Sequence, residues 1–317
     1  MTDYGNPLRF GSFITPSAAA PSRTVDLAVR SEDAGLDLVT FQDHPYQPAL
    51  LDTWTLLTWV AARTERVHVS GNVLSLPSRP PAVLARSAAS LDLLSDGRFE
   101  LGIGPGAFWD AIEAMGLPRR TAAESITALE EAIDVFRGIW DTTDRRPLNI
   151  DGEFSRVIGA KRGLKPAHPI PIVLGAYKPR MLQLTGTKAD GWVPTLGYLG
   201  PGDLERGNAA IDTAARAAGR EPRDIARHLI FPPTLQVGDL VTLARQTGIS
   251  TFIIATDDPT ALKDFARKVA PEARARVAEA RATQKPPANS AAKQNGASPR
   301  RWVPDTKGQG HAGSICP

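Results

Sequence analysis

The sequence predicts an α/β protein folded as a (β/α)8 (TIM) barrel, and three observations support this fold class. Short β-branched or apolar runs alternate with amphipathic helical segments from about residue 8 to residue 270, which makes eight strand-then-helix units. Alternation of this kind requires parallel strands joined by right-handed crossovers, and eight units can close into a barrel. The length of 317 residues fits one such domain. An open doubly wound sheet is the competing topology.

Local signals mark where the predicted elements begin and end, which is the third observation. Gly35 and Gly97 follow the ends of helices, Pro80-Pro81 opens one, and Ser22 and Asp52 are suited to N-caps. The predicted strands occupy residues 8–14, 37–41, 67–73, 98–103, 170–174, 191–194, 227–236 and 251–255. The predicted helices lie near residues 22–34, 52–65, 80–94, 121–140, 179–188, 201–219, 238–247 and 259–282.

Two parts of the chain depart from this alternation. The segment 141–169 is rich in Asp, Arg, Gly and Pro, and we expect insertions after strands 4 and 5 that fold over the barrel. Residues 283–317 contain almost no apolar periodicity and cannot bury enough surface to offset their ordering entropy. We therefore predict a barrel domain at 1–282 and a disordered basic tail at 283–317.

Charge and cysteine content limit the classes of function. The net charge is +3, but the excess of basic residues lies in the tail, so we expect no nucleic-acid binding. Cys316 is the only cysteine, no signal peptide is visible, and the most apolar run, 54–62, is too short to span a bilayer. We expect a cytoplasmic protein that does not bind membranes. The histidines are scattered, so no metal site is predicted.

The active site of a barrel of this kind lies at the C-terminal ends of its strands. Asp43 and His44 follow the second predicted strand. A carboxylate beside an imidazole can fix its tautomer and raise its pKa, which suits proton transfer near neutral pH. The alternative is a turn whose side chains merely cap the next helix. We predict that His44 exchanges a proton during catalysis and that Asp43 orients it.

The loops after the third to sixth strands supply candidate binding residues. Asn72 and Val73 belong to a polar loop that could wall a planar ligand, whereas Gly104 and Gly106 bring the backbone close to a ligand or a neighbouring strand. The segment 174–180 leads directly into a helix, whose N-terminal N–H groups favour anions. A phosphate site is therefore predicted there, with ordinary loop glycines and solvated cations as the alternative.

Taken in this order and spacing, the motifs resemble the bacterial-luciferase-like superfamily of flavin- and deazaflavin-dependent oxidoreductases over about residues 8–270. The matching blocks are Asn72 through Pro81, then Ala85, Asp92, Ser95, Gly97-Arg98 and Gly102-Ile103-Gly104-Pro105-Gly106, and finally Gly175 to Arg180 with Ala189-Asp190-Gly191-Trp192.

The resemblance implies a flavin or deazaflavin ring in the mouth of the barrel. Deazaflavin-using members carry an Asp-His pair after the second strand, which Asp43-His44 matches. In the superfamily, a bulge with a non-proline cis peptide often supports the ring after the third strand, and here that bond would be Asn72–Val73. A dimer is usual among relatives, so a homodimer is compatible with the sequence. The phosphate-binding residues that the resemblance implies are Gly175, Ala176, Tyr177, Lys178, Thr195 and Gly197.

The sequence also departs from the family at two positions. Ala107 stands where some members carry a catalytic Glu, with Glu113 further along the chain, and Pro48 stands where sugar-phosphate-oxidising members carry a Trp. We therefore do not expect a sugar phosphate. The loops 44–52, 104–120 and 141–169 suggest a moderately hydrophobic small organic substrate instead.

The leading hypothesis is hydride transfer between such a substrate and coenzyme F420, a deazaflavin. One alternative is an FMN-dependent luciferase-like monooxygenase that acts with reduced flavin and O2. A second alternative is a non-catalytic flavin-binding barrel protein, to which Ala107 gives some weight.

Overall fold

Eight parallel strands close into a barrel in the computed structural model, which describes residues 2–283. The strands of the chain are β1 (Arg9–Ile14), β2 (Leu38–Phe41), β3 (His68–Gly71), β4 (Leu74–Ser75), β5 (Phe99–Gly104), β6 (Leu148–Asp151), β7 (Arg156–Ala160), β8 (Ile172–Leu174), β9 (Gly191–Trp192), β10 (Ala226–Phe231) and β11 (Thr251–Ala255). The barrel order is β1-β2-β3-β5-β8-β9-β10-β11, and β11 pairs with β1 to close it. The predicted fold class is confirmed. β10 is shorter than predicted because Pro232 and Pro233 follow it and cannot donate ladder hydrogen bonds.

The helices surround the barrel close to their predicted positions. They are α1 (Pro21–Ala34), α2 (Thr53–Ala61), α3 (Pro81–Leu94), α4 (Trp109–Ala114), α5 (Ala122–Trp140), α6 (Pro179–Lys188), α7 (Asp203–Ala217), α8 (Val237–Thr247), α9 (Pro259–Asp264) and α10 (Ala270–Ala282). A π-helical turn at Phe265–Val269 joins the last two helices. Pro271 lies at the start of α10 and has no N–H to donate to the preceding turn, which accounts for the break in a helix predicted as continuous.

The interior of the barrel contains one apolar layer and one polar layer. Leu38, Val173, Val193, Ile230 and Ile253 pack together in the apolar layer. The polar layer lies toward the N-terminal ends of the strands. Its members are Arg9, His68, Glu100 and His228.

Glu100 is the centre of this polar layer. Its Oε1 lies 2.6 Å from Nη2 of Arg9 and 3.0 Å from Nδ1 of His68. Burial lowers the pKa of the neighbouring His228 to about 4, so this imidazole is neutral near pH 7. The polar layer is therefore an ion pair with partners at the N-terminal end of the barrel, opposite the end where active sites of such barrels lie.

Both insertions lie between the fourth and fifth barrel strands. The first contains α4, and the second is the antiparallel hairpin β6-β7. No insertion follows the fifth barrel strand, β8, because α6 begins five residues after it, so that part of the prediction was wrong. The hairpin also does not cover the barrel mouth. Its tip packs along α5, where the carboxylate of Glu131 accepts hydrogen bonds from the backbone N–H groups of Glu153, Phe154 and Ser155.

Close packing of β3 against β5 explains one of the glycines after the third and fourth strands. A Cβ at Gly102 would lie 2.0 Å from the carbonyl oxygen of Gly71, so only glycine fits. Here the close neighbour is a strand and not a ligand. Residues 284–317 of the predicted tail, including its basic residues and Cys316, lie outside the described residues.

Candidate active site

Asp43 is buried at the end of β2 and fastens two loops together. Its Oδ2 accepts hydrogen bonds from the backbone N–H of Ser75 at 2.7 Å and from Nη1 of Arg79 at 2.6 Å, and its Oδ1 lies 3.1 Å from Nη2 of Arg79. Asp43 makes no direct hydrogen bond to His44 because its oxygens turn toward Ser75 and Arg79, so its orienting role stays a prediction. The sequence shows Arg79 in the loop after the neighbouring strand, which is the signal that could have identified this partner.

His44 has an aromatic environment and a different hydrogen-bonding partner. Its Nδ1 lies 2.8 Å from the hydroxyl of Tyr46. The ring of Phe108, from the loop after β5, meets the imidazole edge-on at 5.4 Å and also contacts Tyr46. Sequence reasoning placed Tyr46 and Phe108 only among general substrate-loop residues.

Burial lowers the pKa of His44, although the charge of Asp43 acts in the opposite direction. The predicted rise was wrong because desolvation outweighs the nearby carboxylate. Burial also raises the pKa of Tyr46 to about 12, and the charge of Asp43 adds to that effect. Near neutral pH the pair is a neutral imidazole hydrogen-bonded to a neutral phenol.

Val73 occupies the rim between the fourth and fifth barrel strands. The Asn72–Val73 peptide is cis, as the resemblance implies. A Cβ at Gly104 would lie 2.7 Å from Cγ2 of Val73, and one at Gly175 would lie 3.5 Å from it. Glycine at 104 therefore makes room for Val73, and the three residues lie together at the C-terminal rim of the barrel. Asn72 donates its N–H to the carbonyl of Phe41, which joins this rim to the end of β2.

Two hydrogen bonds hold the loop after β8 in place. The buried Trp192 donates its indole N–H to the carbonyl of Ala176 at 2.8 Å. The hydroxyl of Tyr177 accepts a hydrogen bond from the backbone N–H of Thr195 at 2.9 Å. The N–H of Thr195 therefore already has a partner, whereas Gly197 is exposed, and contact of the two residues with a phosphate stays a prediction.

The start of α6 is suited to an anion. Lys178 occupies the N-cap position and Pro179 the first turn, where its missing N–H costs nothing. The next backbone N–H groups have no partner within the helix and carry the positive end of the helix dipole. Lys178 and Arg180 are both exposed and add positive charge. This arrangement is suited to a phosphate, and Val73, Gly104 and Gly175 lie beside it at the rim.

Two other predicted features lie at the same end of the barrel. Gly106 has a φ of 95°, and a Cβ there would lie 2.7 Å from Cγ of Pro77, so it is a turn glycine in contact with the loop after β3. Glu113, which lies further along the chain than Ala107 on α4, is exposed and pairs with Arg119 at 3.0 Å. Glu113 belongs to a surface ion pair and does not take the place of the Glu that some family members carry at the position of Ala107.

The described part of the chain, residues 2–283, contains no group of three His, Cys, Asp or Glu side chains placed to hold a metal ion. Within the same range, no helix combines the length and the apolarity needed to cross a bilayer.

Comparison with known proteins identifies the class of barrel. The family model of luciferase-like monooxygenases matches residues 7–313. The chain is 31% identical over 226 residues to the F420-dependent glucose-6-phosphate dehydrogenase of Amycolatopsis mediterranei, covering 69% of this chain and 67% of that enzyme. It is also 31% identical over 226 residues to the 5,10-methylenetetrahydromethanopterin reductase of Methanolobus tindarius, covering 71% of this chain and 65% of that one. The chain belongs to the luciferase-like monooxygenase family.

Solved structures agree on the fold. An F420-dependent secondary alcohol dehydrogenase in complex with an F420-acetone adduct superposes with a TM-score of 0.74, at 17% identity, over 84% of this chain and 99% of that one. The FMN complex of the oxygenating constituent of 3,6-diketocamphane monooxygenase from Pseudomonas putida superposes with a TM-score of 0.69, at 18% identity, over 84% of this chain and 98% of that one. Both support the barrel, and neither distinguishes between the two cofactors.

Proposed function

We propose that this protein is an F420-dependent oxidoreductase that transfers a hydride between the deazaflavin and a small organic substrate. The observation that carries the proposal is the C-terminal rim, where His44 follows β2, Val73 follows β3 and the start of α6 follows β8. The two curated relatives named above are similar in sequence over about two thirds of their length, and the name of the dehydrogenase specifies F420.

The residues at the rim fit such a cofactor. We propose that Gly175, Ala176, Tyr177 and Lys178 hold its phosphate, with Thr195 contributing its hydroxyl and Gly197 its N–H. We propose that the ring rests against Asn72 and Val73, with Gly104 and Gly106 shaping the adjacent loop. When bound, the deazaflavin supplies hydride chemistry, and the protein supplies position and electrostatics.

His44 is the proposed site of proton exchange with the substrate, and Asp43 supports it indirectly by fixing the loop through Arg79. We expect His44→Ala to keep the F420 dissociation constant within a few-fold while lowering turnover by roughly 100-fold or more, which is a typical contribution of a general acid or base. The proposed mechanism uses no metal ion, so treatment of the wild type with a chelator should leave turnover unchanged and serves as a control. Full turnover in His44→Ala would remove His44 from the mechanism.

The proposed substrate is a small, moderately hydrophobic organic molecule. This proposal is supported by Phe108, whose side chain is 58% exposed beside His44, and by the aromatic ring of Tyr46. The named relatives act on different substrates, so a panel of secondary alcohols, their ketones and glucose 6-phosphate is the direct test. We expect bleaching of F420 absorbance with alcohols, or reoxidation of reduced F420 by ketones, and no turnover with glucose 6-phosphate.

The FMN-dependent monooxygenase is the second candidate, because the matching family model is described as luciferase-like monooxygenase and an FMN complex shares the fold. Parallel titrations with F420 and FMN separate the two candidates. Oxygen consumption coupled to turnover of reduced FMN would replace the F420 proposal. Tight binding of F420 without any substrate-linked bleaching would support the non-catalytic alternative.

We also propose that the protein is a cytoplasmic homodimer. The proposal is supported by large apolar side chains that are exposed on two consecutive helices. These side chains are Trp59 on α2 and Val83 and Leu94 on α3. Light scattering at several concentrations tests the dimer, and a mass equal to one chain would overturn it.

A further inference from the structure

The hydrogen bond between Tyr46 and His44 defines which nitrogen of the imidazole faces the substrate. The Tyr46 hydroxyl lies 2.8 Å from Nδ1. Nε2 makes no hydrogen bond to any residue from 2 to 283, and His44 remains partly exposed. Nε2 is thus the ring nitrogen that is open to a ligand.

Asp43 cannot take the place of Tyr46 as the partner of the ring. Its side chain is fully buried, and its oxygens accept hydrogen bonds from Ser75 and from both terminal nitrogens of Arg79. Its influence on His44 is limited to a through-space charge effect that burial outweighs. Tyr46 is therefore the only described side chain that hydrogen-bonds to the His44 ring.

The direction of the bond follows from the chemistry of the two groups. The pKa of Tyr46 is raised to about 12 and that of His44 is lowered, so both groups are neutral near pH 7. A neutral imidazole has one N–H donor and one acceptor nitrogen, and the hydrogen bond at one nitrogen decides where the proton lies. A phenol O–H is a stronger donor than an imidazole N–H, and an imidazole nitrogen is a stronger acceptor than a phenol oxygen. The hydroxyl therefore donates to Nδ1.

We propose that Tyr46 is the positioning residue of the reaction: its hydroxyl donates to Nδ1 of His44, holds the imidazole as the Nε2–H tautomer and thereby presents a neutral donor to the substrate oxygen. This inference rests on the proposed function, which makes His44 the proton-exchanging group. Phe108 contacts both rings and limits their movement, so the hydrogen bond is held in one orientation.

The tautomer favours reduction of a carbonyl substrate. Nε2–H would polarise the oxygen of a bound carbonyl substrate and stabilise the negative charge that develops there, while a deazaflavin, when bound, would supply the hydride to the carbonyl carbon. The Nε2–H bond then breaks as the new O–H bond forms. A solvent proton replaces the one lost from Nε2, so the imidazole ends neutral as the Nε2–H tautomer, and Tyr46 keeps its hydroxyl proton throughout. Alcohol oxidation runs through the same bonds in reverse.

The test compares wild type with Tyr46→Phe, which removes one oxygen and keeps the ring. The first readout is the pair of 15N ring shifts of His44 in cofactor-free protein, assigned by their loss in His44→Gln. Wild type is expected to show two widely separated shifts, with Nε2 protonated. The two shifts should converge in Tyr46→Phe as the second tautomer becomes populated. Phe108→Leu is the control, since it removes the ring contact and should keep the wild-type separation.

The second readout is kinetic. Loss of one hydrogen bond in a partly dry site should lower kcat roughly tenfold in Tyr46→Phe, with KM for the substrate and Kd for F420 within twofold of wild type. Unchanged 15N shifts in Tyr46→Phe would overturn the inference, and so would a changed tautomer with unchanged kcat. Failure of wild type to bind F420 would instead contradict the proposed function, because the 15N readout does not need the cofactor.

Discussion

The Asp43–Arg79 pair provides the sharpest test of how the fold positions the candidate site. Arg79→Met removes the guanidinium and keeps much of the apolar stem. Oδ1 and Oδ2 of Asp43 would then lose both contacts at 2.6 and 3.1 Å, and only the Ser75 N–H at 2.7 Å would remain. The side chain of Asp43 is 0% exposed, so water cannot replace the lost donors. Breaking a buried pair by removing one partner costs about 3–5 kcal/mol.

We therefore expect Arg79→Met to lower the free energy of unfolding by about 3–5 kcal/mol, measured by urea titration followed by far-UV circular dichroism. The matched control is Arg119→Met, which breaks an ion pair with Asp110 and Glu113 on the surface. The control should leave the unfolding midpoint within experimental error, since exposed pairs are screened by solvent. Equal losses of unfolding free energy in the two variants would refute the view that the buried carboxylate of Asp43 depends on Arg79 for its hydrogen bonds.

Three further predictions concern His228, Gly102 and Tyr177. His228, whose pKa is lowered to about 4, takes up a proton only in the unfolded chain between about pH 6.5 and pH 4. The free energy of unfolding should therefore fall by roughly 3 kcal/mol as the pH is lowered over that range. His228→Gln should flatten this pH dependence in urea titrations. Gly102→Ala places a methyl group 2.0 Å from a backbone oxygen and should cost about 3 kcal/mol in the same assay, whereas Gly238→Ala, with open space around it, should be neutral or stabilising. Tyr177→Phe removes the hydrogen bond that holds the loop after β8 against Thr195, so this loop should be less ordered and the Kd for F420 should rise roughly fivefold in a fluorescence titration, whereas Tyr198→Phe should leave it unchanged.

The fold was predictable from sequence because the physical signals are local and repeated. Alternating apolar runs and capped helices locate β11 and α6 at their observed bounds. The hairpin β6-β7 was not predictable in position. Its placement depends on Glu131, a mid-helix carboxylate that binds three successive backbone N–H groups, and nothing in the segment 141–169 reveals that distant partner.

The location of the candidate site was predictable from the sequence, but the hydrogen-bond partners of its residues were not. Adjacency in sequence suggested that Asp43 serves His44, yet side chains of successive residues point in different directions at a strand end. Asp43 turns toward Arg79, and His44 pairs with Tyr46, two residues further on. The direction of the pKa shift of His44 was also missed, because desolvation depends on Phe108 and on the depth of the loop, which only the folded chain defines.

The most direct test of the central claim is hydrogen–deuterium exchange with and without F420. The rim residues are expected to bind the deazaflavin, so peptides covering 72–79, 104–108 and 175–182 should gain protection when F420 is added. Peptides from the polar layer at the opposite end of the barrel should not change. Protection by FMN but not by F420, or protection confined to residues away from the rim, would contradict the account.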